Sequence, residues 1–118
     1  MKLFVYGIKN CNTMKKTFDF LNEEGIAYEF IDYKKTAPNT GLLKKFIGQV
    51  GLESLINKRG TTFKKLSDTE KMALEDKDSA VGILTKKSSM IKRPIIEFPD
   101  GELVLGFEPN QIKNKFNH

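Results

Sequence analysis

Residues 3–16 read Leu-Phe-Val-Tyr-Gly-Ile-Lys-Asn-Cys-Asn-Thr-Met-Lys-Lys, and the order of these residues decides how the chain folds. The apolar run Leu3 to Tyr6 breaks at Gly7, crosses a short polar loop and delivers Cys11, the only cysteine, where helical spacing begins. An apolar succession bounded by glycine reads as a buried strand. After Cys11, the residues Met14, Phe18 and Leu21 recur at helical spacing, and Gly25 supplies a left-handed C-terminal cap. A cysteine at the start of a helix meets free N–H groups of partial positive charge, which favour the thiolate and make it the better nucleophile. Lys9, Lys15 and Lys16 add positive charge on either side, and Asn10, Asn12 and Thr13 keep the surroundings polar. The competing reading is a small buried core cysteine, a common fate of a lone thiol. The polar neighbours favour the reactive one.

Working outward, residues 26–33 alternate Ile26, Tyr28 and Phe30 with Ala27, Glu29 and Ile31 and form a second strand. Strand, helix, strand makes a β-α-β unit with parallel strands and a right-handed crossover. Thr36-Ala37-Pro38-Asn39-Thr40 is loop chemistry, and from there to Lys87 the spacing is helical. Leu42, Leu43, Phe46, Ile47 and Val50 make one stripe closed by Gly51, with a short further turn at Leu52, Leu55 and Ile56. Residues 57–63 read as a polar loop in which Gly60 takes an unusual backbone angle. Ser67 or Asp68 caps the next helix with Glu70 as its partner, and Asp78 or Ser79 caps another that turns Ala80, Val81 and Leu84 inward.

Strands return at residues 94–98 and 102–105, joined by Pro99-Asp100-Gly101, a turn between apolar runs and hence an antiparallel hairpin. Gly106 ends it, and Asn110 caps a last helix with Ile112 and Phe116 inward. The order β-α-β, helical block, β-β-α builds an α/β domain with a mixed four-stranded sheet, the arrangement of the thioredoxin fold. Phe18, Phe30, Phe46 and Phe63 read as core, and His118 as a disordered tail residue.

A chain of 118 residues fits one domain with a core of its own. One cysteine cannot pair within the chain, no basic and apolar leader follows Met1, and no apolar run is long enough to span a membrane. These features place the protein in a reducing cytoplasm. The net charge of +5 favours anionic partners. Its lysine pairs at 34–35, 44–45, 64–65 and 86–87 are interspersed with acids, which reads as solvated surface rather than a nucleic-acid face. With His118 the only histidine, no metal site is expected.

Arg93-Pro94 is the second focus. Proline at the head of a central strand lacks an N–H that the sheet would use, so it belongs at the first position, where a cis peptide would leave Lys92 and Arg93 carbonyls and N–H groups turned outward beside the cysteine. An ordinary trans proline is the competing reading. Three stretches, Tyr6–Thr13, Asn57–Thr62, and Met90–Ile96 with Gly106-Phe107, resemble the arsenate reductase (ArsC)/Spx family, and most of all its small glutathione-dependent thiol reductase-like branch. The resemblance covers essentially the whole chain.

That resemblance implies a single thioredoxin-like domain over residues 1–118 with a helical insertion at about 37–87, and a nucleophilic cysteine at Cys11. In the family's arsenate reductases that cysteine attacks the oxyanion and arginines hold it. One of them matches Arg93, whereas the others fall on Asn57, two residues from Arg59, and near Gly106. Losing two planar forks disfavours arsenate capture, with Arg59 the residue that would have to compensate. The resemblance points to a monothiol oxidoreductase with no bound cofactor, glutathione as external thiol and glutaredoxin as a candidate partner. Cys11 and Arg93 are its expected catalytic pair, and Lys9, Asn12, Thr13, Lys15, Arg59 and Pro94 its expected binding residues. The segment leading into Pro94 is where thioredoxin folds pair with a substrate backbone. The alternative is an Spx-like regulator that binds RNA polymerase. Many such regulators switch through a Cys-x-x-Cys pair, and here the fourth position is Met14, so oxidised Cys11 needs an outside thiol.

Overall fold

A computed structural model describes residues 2–116. In chain order the elements are β1 (Leu3–Gly7), α1 (Asn12–Glu23), β2 (Tyr28–Asp32), α2 (Thr40–Val50), α3 (Leu52–Leu55), α4 (Thr61–Lys64), α5 (Asp68–Ala73) and α6 (Lys77–Lys86). A 3₁₀ turn (Ser88–Met90) then leads to β3 (Ile95–Glu97), β4 (Leu103–Leu105) and α7 (Pro109–Phe116). The chain divides into two compact units, one from residues 2–32 with 93–116 and one from 33–92. His118 lies outside the described residues.

The first unit carries the sheet, in the order β2-β1-β3-β4. β1 runs parallel to β2 and antiparallel to β3, and β3 pairs antiparallel with β4. This is the mixed four-stranded sheet of a thioredoxin-like fold. Because side chains alternate along a strand, Leu3 and Val5 of β1 share a face with Ile96 and Val104. That face packs with Met14 and Leu21 of α1 and Ile112 of α7 into one core, on which Phe18 and Phe30 rest half-buried.

The end of α1 shows how local sequence sets the crossover. Gly25 takes φ 67°, the Gly25 N–H donates to the Asn22 carbonyl at 3.2 Å, and the Ile26 N–H donates to the Leu21 carbonyl at 2.9 Å. This paired bonding across a left-handed glycine closes the helix, while Leu21 and Ile26 enter the core together. At the other end of the sheet, Gly101 (φ 90°) turns the hairpin and its N–H donates to the Phe98 carbonyl at 2.8 Å. The last helix begins at Pro109, with the Glu108 carbonyl accepting the first helical bond from Ile112 at 3.0 Å. Asn110 is therefore inside that helix and not its cap, because proline fits the first helical position and starts it early. Lys113 pairs with Glu24 at 2.8 Å, and Lys115 pairs with Glu102.

On the opposite face of the sheet the Tyr6 hydroxyl donates to Glu97 Oε1 at 3.0 Å. Tyr6 faces Ile95 and Phe4 faces Glu97, so the bond runs diagonally between neighbouring strands. Both residues are buried, at 6% and 7% exposure. Burial, and then the Glu97 carboxylate, push the Tyr6 hydroxyl well above the ordinary phenol range.

Residues 33–92 are helical. Asn39 caps α2 by accepting from the Leu42 N–H at 2.7 Å, and Leu43, Phe46 and Ile47 are buried. Ser67 and Glu70 form a reciprocal capping box at α5. Four expectations change here. α4 stands within the stretch read as a loop, and its N-cap Gly60 has an ordinary φ of −75°. What Gly60 provides is space, since a Cβ there would lie 3.2 Å from Asn57 Nδ2. α6 is capped by Asp76, which accepts from the Ser79 N–H at 3.1 Å, and not by Asp78 or Ser79. Phe46 is fully buried, but Phe63 is half-buried beneath the Lys71 ammonium, 5.5 Å from its ring centre.

Removing the buried Tyr6 hydroxyl leaves Glu97 short of a donor. Tyr6→Phe should cost about 1–3 kcal/mol, read as a lower urea midpoint at unchanged slope; an unmoved midpoint would show that the bond is energetically idle.

Candidate active site

Gly7 closes β1, and a side chain there would have to displace the end of the Met14 side chain. A Cβ there would lie 2.7 Å from Met14 Sδ, 2.8 Å from Met14 Cε and 3.4 Å from Arg93 Cβ. The strand thus ends flush against the first turn of α1 on one side and the Arg93 stem on the other. Between them the chain passes through Ile8 to Asn10, and the Cys11 N–H donates to the Lys9 carbonyl at 3.1 Å.

Cys11 is the N-cap of α1, with extended backbone (φ −147°, ψ 132°), and its carbonyl accepts the first helical bond from Lys15 at 3.0 Å. In the capping geometry the side chain of this residue faces the N–H groups two and three positions on, here Thr13 and Met14. The sulfur closes no tight capping bond like those of Asn39 or Ser67. The two N–H groups nonetheless act on it. Burial pushes the Cys11 thiol up, but the Met14 N–H, the Arg93 guanidinium and the Thr13 N–H outweigh that and hold it below the ordinary thiol value. The anion is favoured by hydrogen bonding to a charged group and by the helix terminus together. Cys11 is a free thiol, partly exposed.

The first unit therefore brings Cys11, Thr13 and Arg93 together. Arg93-Pro94 is a cis peptide, and Pro94 is buried with its carbonyl accepting from the Gly106 N–H at 2.8 Å. The Lys92 N–H, expected to turn outward beside the cysteine, is instead committed to the Leu55 carbonyl at 2.8 Å. Lys9, Asn12 and Lys15 line an open groove of about 560 Å³ that contains Cys11. Phe18 and Asp19 line it too, and neither stood out as a site residue in the sequence. The Thr13 carbonyl accepts from the Thr17 hydroxyl at 2.8 Å. Arg59 belongs to the helical unit, exposed in the turn before α4, where its N–H donates to Asn57 Oδ1 at 3.2 Å. A second concavity, of about 500 Å³, lies within the helical unit and includes Leu52, Ile56, Phe63 and Leu74. Among the described residues no cluster of His, Cys, Asp and Glu could hold a metal, and no helix is long and apolar enough to cross a membrane.

Two outcomes follow from the thiol's environment. Alkylation of Cys11 by iodoacetamide should reach half its limiting rate at a pH below the ordinary thiol value of about 8.5. Arg93→Gln should raise that midpoint and slow the reaction about three- to tenfold near pH 6.5; identical profiles would remove Arg93 from the account. Folding stability should respond as well. A native thiol more acidic than the unfolded one contributes stability that is complete above about pH 8.5 and is lost as pH falls through the native value. The urea midpoint of the wild type should therefore gain on that of Cys11→Ser as pH rises from about 6 to 9.

Residues 6–115 match the ArsC family. The chain is 28% identical over 123 aligned positions to an arsenate reductase of Escherichia coli, covering 95% of this chain and 84% of that protein. Among solved structures it is similar to an arsenate reductase-related protein of Brucella melitensis, 42% identical with TM-score 0.77, over all of this chain and 97% of that one. It is also similar to a protein named YffB, 37% identical with TM-score 0.89, over 95% and 96% of the two chains. A match that runs from the end of the first strand into the last helix places the cysteine loop, the Arg93-Pro94 segment and the helical unit within one pattern: the chain belongs to the ArsC family, with a thioredoxin-like fold.

Proposed function

We propose that this protein is a monothiol reductase of disulfides that draws its electrons from a small external thiol of the glutathione class. The observation that carries the reading is the Cys11 sulfur at the N-terminus of α1, favoured as the anion by the Met14 N–H, the Arg93 guanidinium and the Thr13 N–H. In the first step the Cys11 thiolate attacks one sulfur of a disulfide. The old S–S bond breaks, a mixed disulfide forms on Cys11, and the displaced thiolate takes a proton from water. A thiolate of the external thiol then attacks the mixed disulfide and releases Cys11. That attack leaves the other half of the substrate joined to the external thiol; a second equivalent breaks this S–S bond, frees the substrate half as a thiol and leaves the external thiol as its own disulfide, two thiols supplying the two electrons because the chain has no other cysteine.

Arg93 serves both steps, since the positive charge that favours the attacking thiolate also favours Cys11 as a leaving group. A sulfur of lowered pKa is a weaker intrinsic nucleophile but a faster leaving group, which suits a residue that must be resolved from outside. Arsenate is a poorer match. Arg59 and Arg93 are the only two arginines, and Arg93 is the only one in the sheet unit. Within the sheet unit, a tetrahedral oxyanion beside Cys11 would meet one planar fork and the point charges of Lys9 and Lys15.

With glutathione as reductant and hydroxyethyl disulfide as substrate, the wild type should turn over and Cys11→Ser should lose all activity above the uncatalysed rate. Arsenate should be reduced poorly even with glutathione and glutaredoxin supplied. Brisk arsenate turnover dependent on Cys11, with little disulfide reduction, would reverse the assignment.

A further inference from the structure

The groove beside Cys11 continues well past the sulfur. Cys11, Lys15 and Asp19 are spaced four residues apart along α1, so their side chains rise from one face of the helix and line the same concavity. Lys15 and Asp19 stand one helical turn apart, within reach of an ion pair though in the less favourable order, with the cation N-terminal to the anion. No such pair forms, and neither residue has another charged partner among the described residues. One positive and one negative charge, a single helical turn apart, are thereby left facing the groove. Phe18 lies beside them, and its ring is held by stacking on Tyr28 at 5.5 Å and by edge contact with Phe30 at 5.0 Å. At 1.5 Å of rise per residue, Asp19 lies about 12 Å along the helix from Cys11.

We propose that Lys15, Phe18 and Asp19 form a subsite for the distal arm of a peptide thiol that ends in a zwitterionic α-amino-acid head. This rests on the reading of Cys11 as the thiol that exchanges with disulfides. Lys15 receives the carboxylate of the head, Asp19 receives its ammonium, and the connecting methylenes cross the Phe18 ring. Lys9, also in the groove and without an ion-pair partner among the described residues, is left to a second carboxylate nearer the sulfur. The spacing selects by length. A γ-glutamyl peptide thiol, extended, carries its amino group about 10 Å from its sulfur and reaches Asp19, whereas a cysteinyl amine lies far too close. The exchange chemistry is that of the preceding subsection and needs no further reactant: the bound thiol is half of the disulfide that Cys11 attacks.

The test compares the rate at which reduced Cys11 exchanges with oxidised glutathione and with cystinyl-bisglycine, which lacks the glutamyl arm. The wild type should prefer oxidised glutathione about three- to tenfold. Asp19→Asn and Lys15→Gln should each reduce that preference about threefold, the scale of one solvent-screened charge pair. Both positions are exposed, and circular dichroism should show the fold unchanged. No preference in the wild type, or an unaltered preference in both variants, would overturn the subsite alone. A wild-type thiol that exchanges with neither disulfide faster than a free cysteine would overturn the reactive reading of Cys11, and the subsite with it.

Discussion

The contact between Gly7 and the Met14 thioether sets the distance from the end of β1 to the first turn of α1. Met14 is fully buried, so its sulfur occupies a fixed place in a core formed with Leu3, Val5 and Leu21. Protein interiors are packed too closely for a methyl group to be added there without movement. The same glycine lies against the stem of Arg93. Two of the groups that favour the Cys11 thiolate, the Met14 N–H and the Arg93 guanidinium, therefore belong to residues packed against one Cα. The bare Cα at the strand end lets both residues approach it closely.

Much of this was legible because the deciding residues have few alternatives. A left-handed glycine after a helical stripe, Pro-Asp-Gly between apolar runs, and Ser67 three residues before Glu70 each have one dominant structural use. The errors arose where several residues competed for one role. Asp76, Asp78 and Ser79 are all good caps, and Asp76 takes the position by accepting from both the N–H and the hydroxyl of Ser79. Gly60 seemed to require a special backbone angle when what mattered was the nearness of Asn57, a contact within the folded loop that composition does not reveal.

At the site, the pairing of Cys11 with Arg93 was legible because strand, loop, cysteine, helix and Arg-Pro are local patterns. The outer part of the groove was not. Lys15 is an expected binding residue, but Phe18 and Asp19 in sequence look like one core aromatic beside an ordinary solvated helix position. Only the side-chain placement shows that the two charges stay apart and that Phe18 is shared between core and groove. The net charge was also less informative than its distribution. Residues 33–92 hold thirteen of the twenty basic side chains and six of the fifteen acidic ones, so the sheet unit that carries the thiol is slightly acidic overall, and three of its seven cations, Lys2, Lys113 and Lys115, are paired with acids.

Met14 stands where a Cys-x-x-Cys pair would place its second sulfur, and it is buried. Peroxide that converts Cys11 to a sulfenic acid thus starts a race between an incoming thiol, which restores the residue, and a second oxidation to sulfinic acid, which removes it for good. An internal partner would win such a race at a rate independent of the surroundings. Here the winner is set by the ratio of free thiol to oxidant in solution, so the working lifetime of each molecule becomes a record of the redox supply around it.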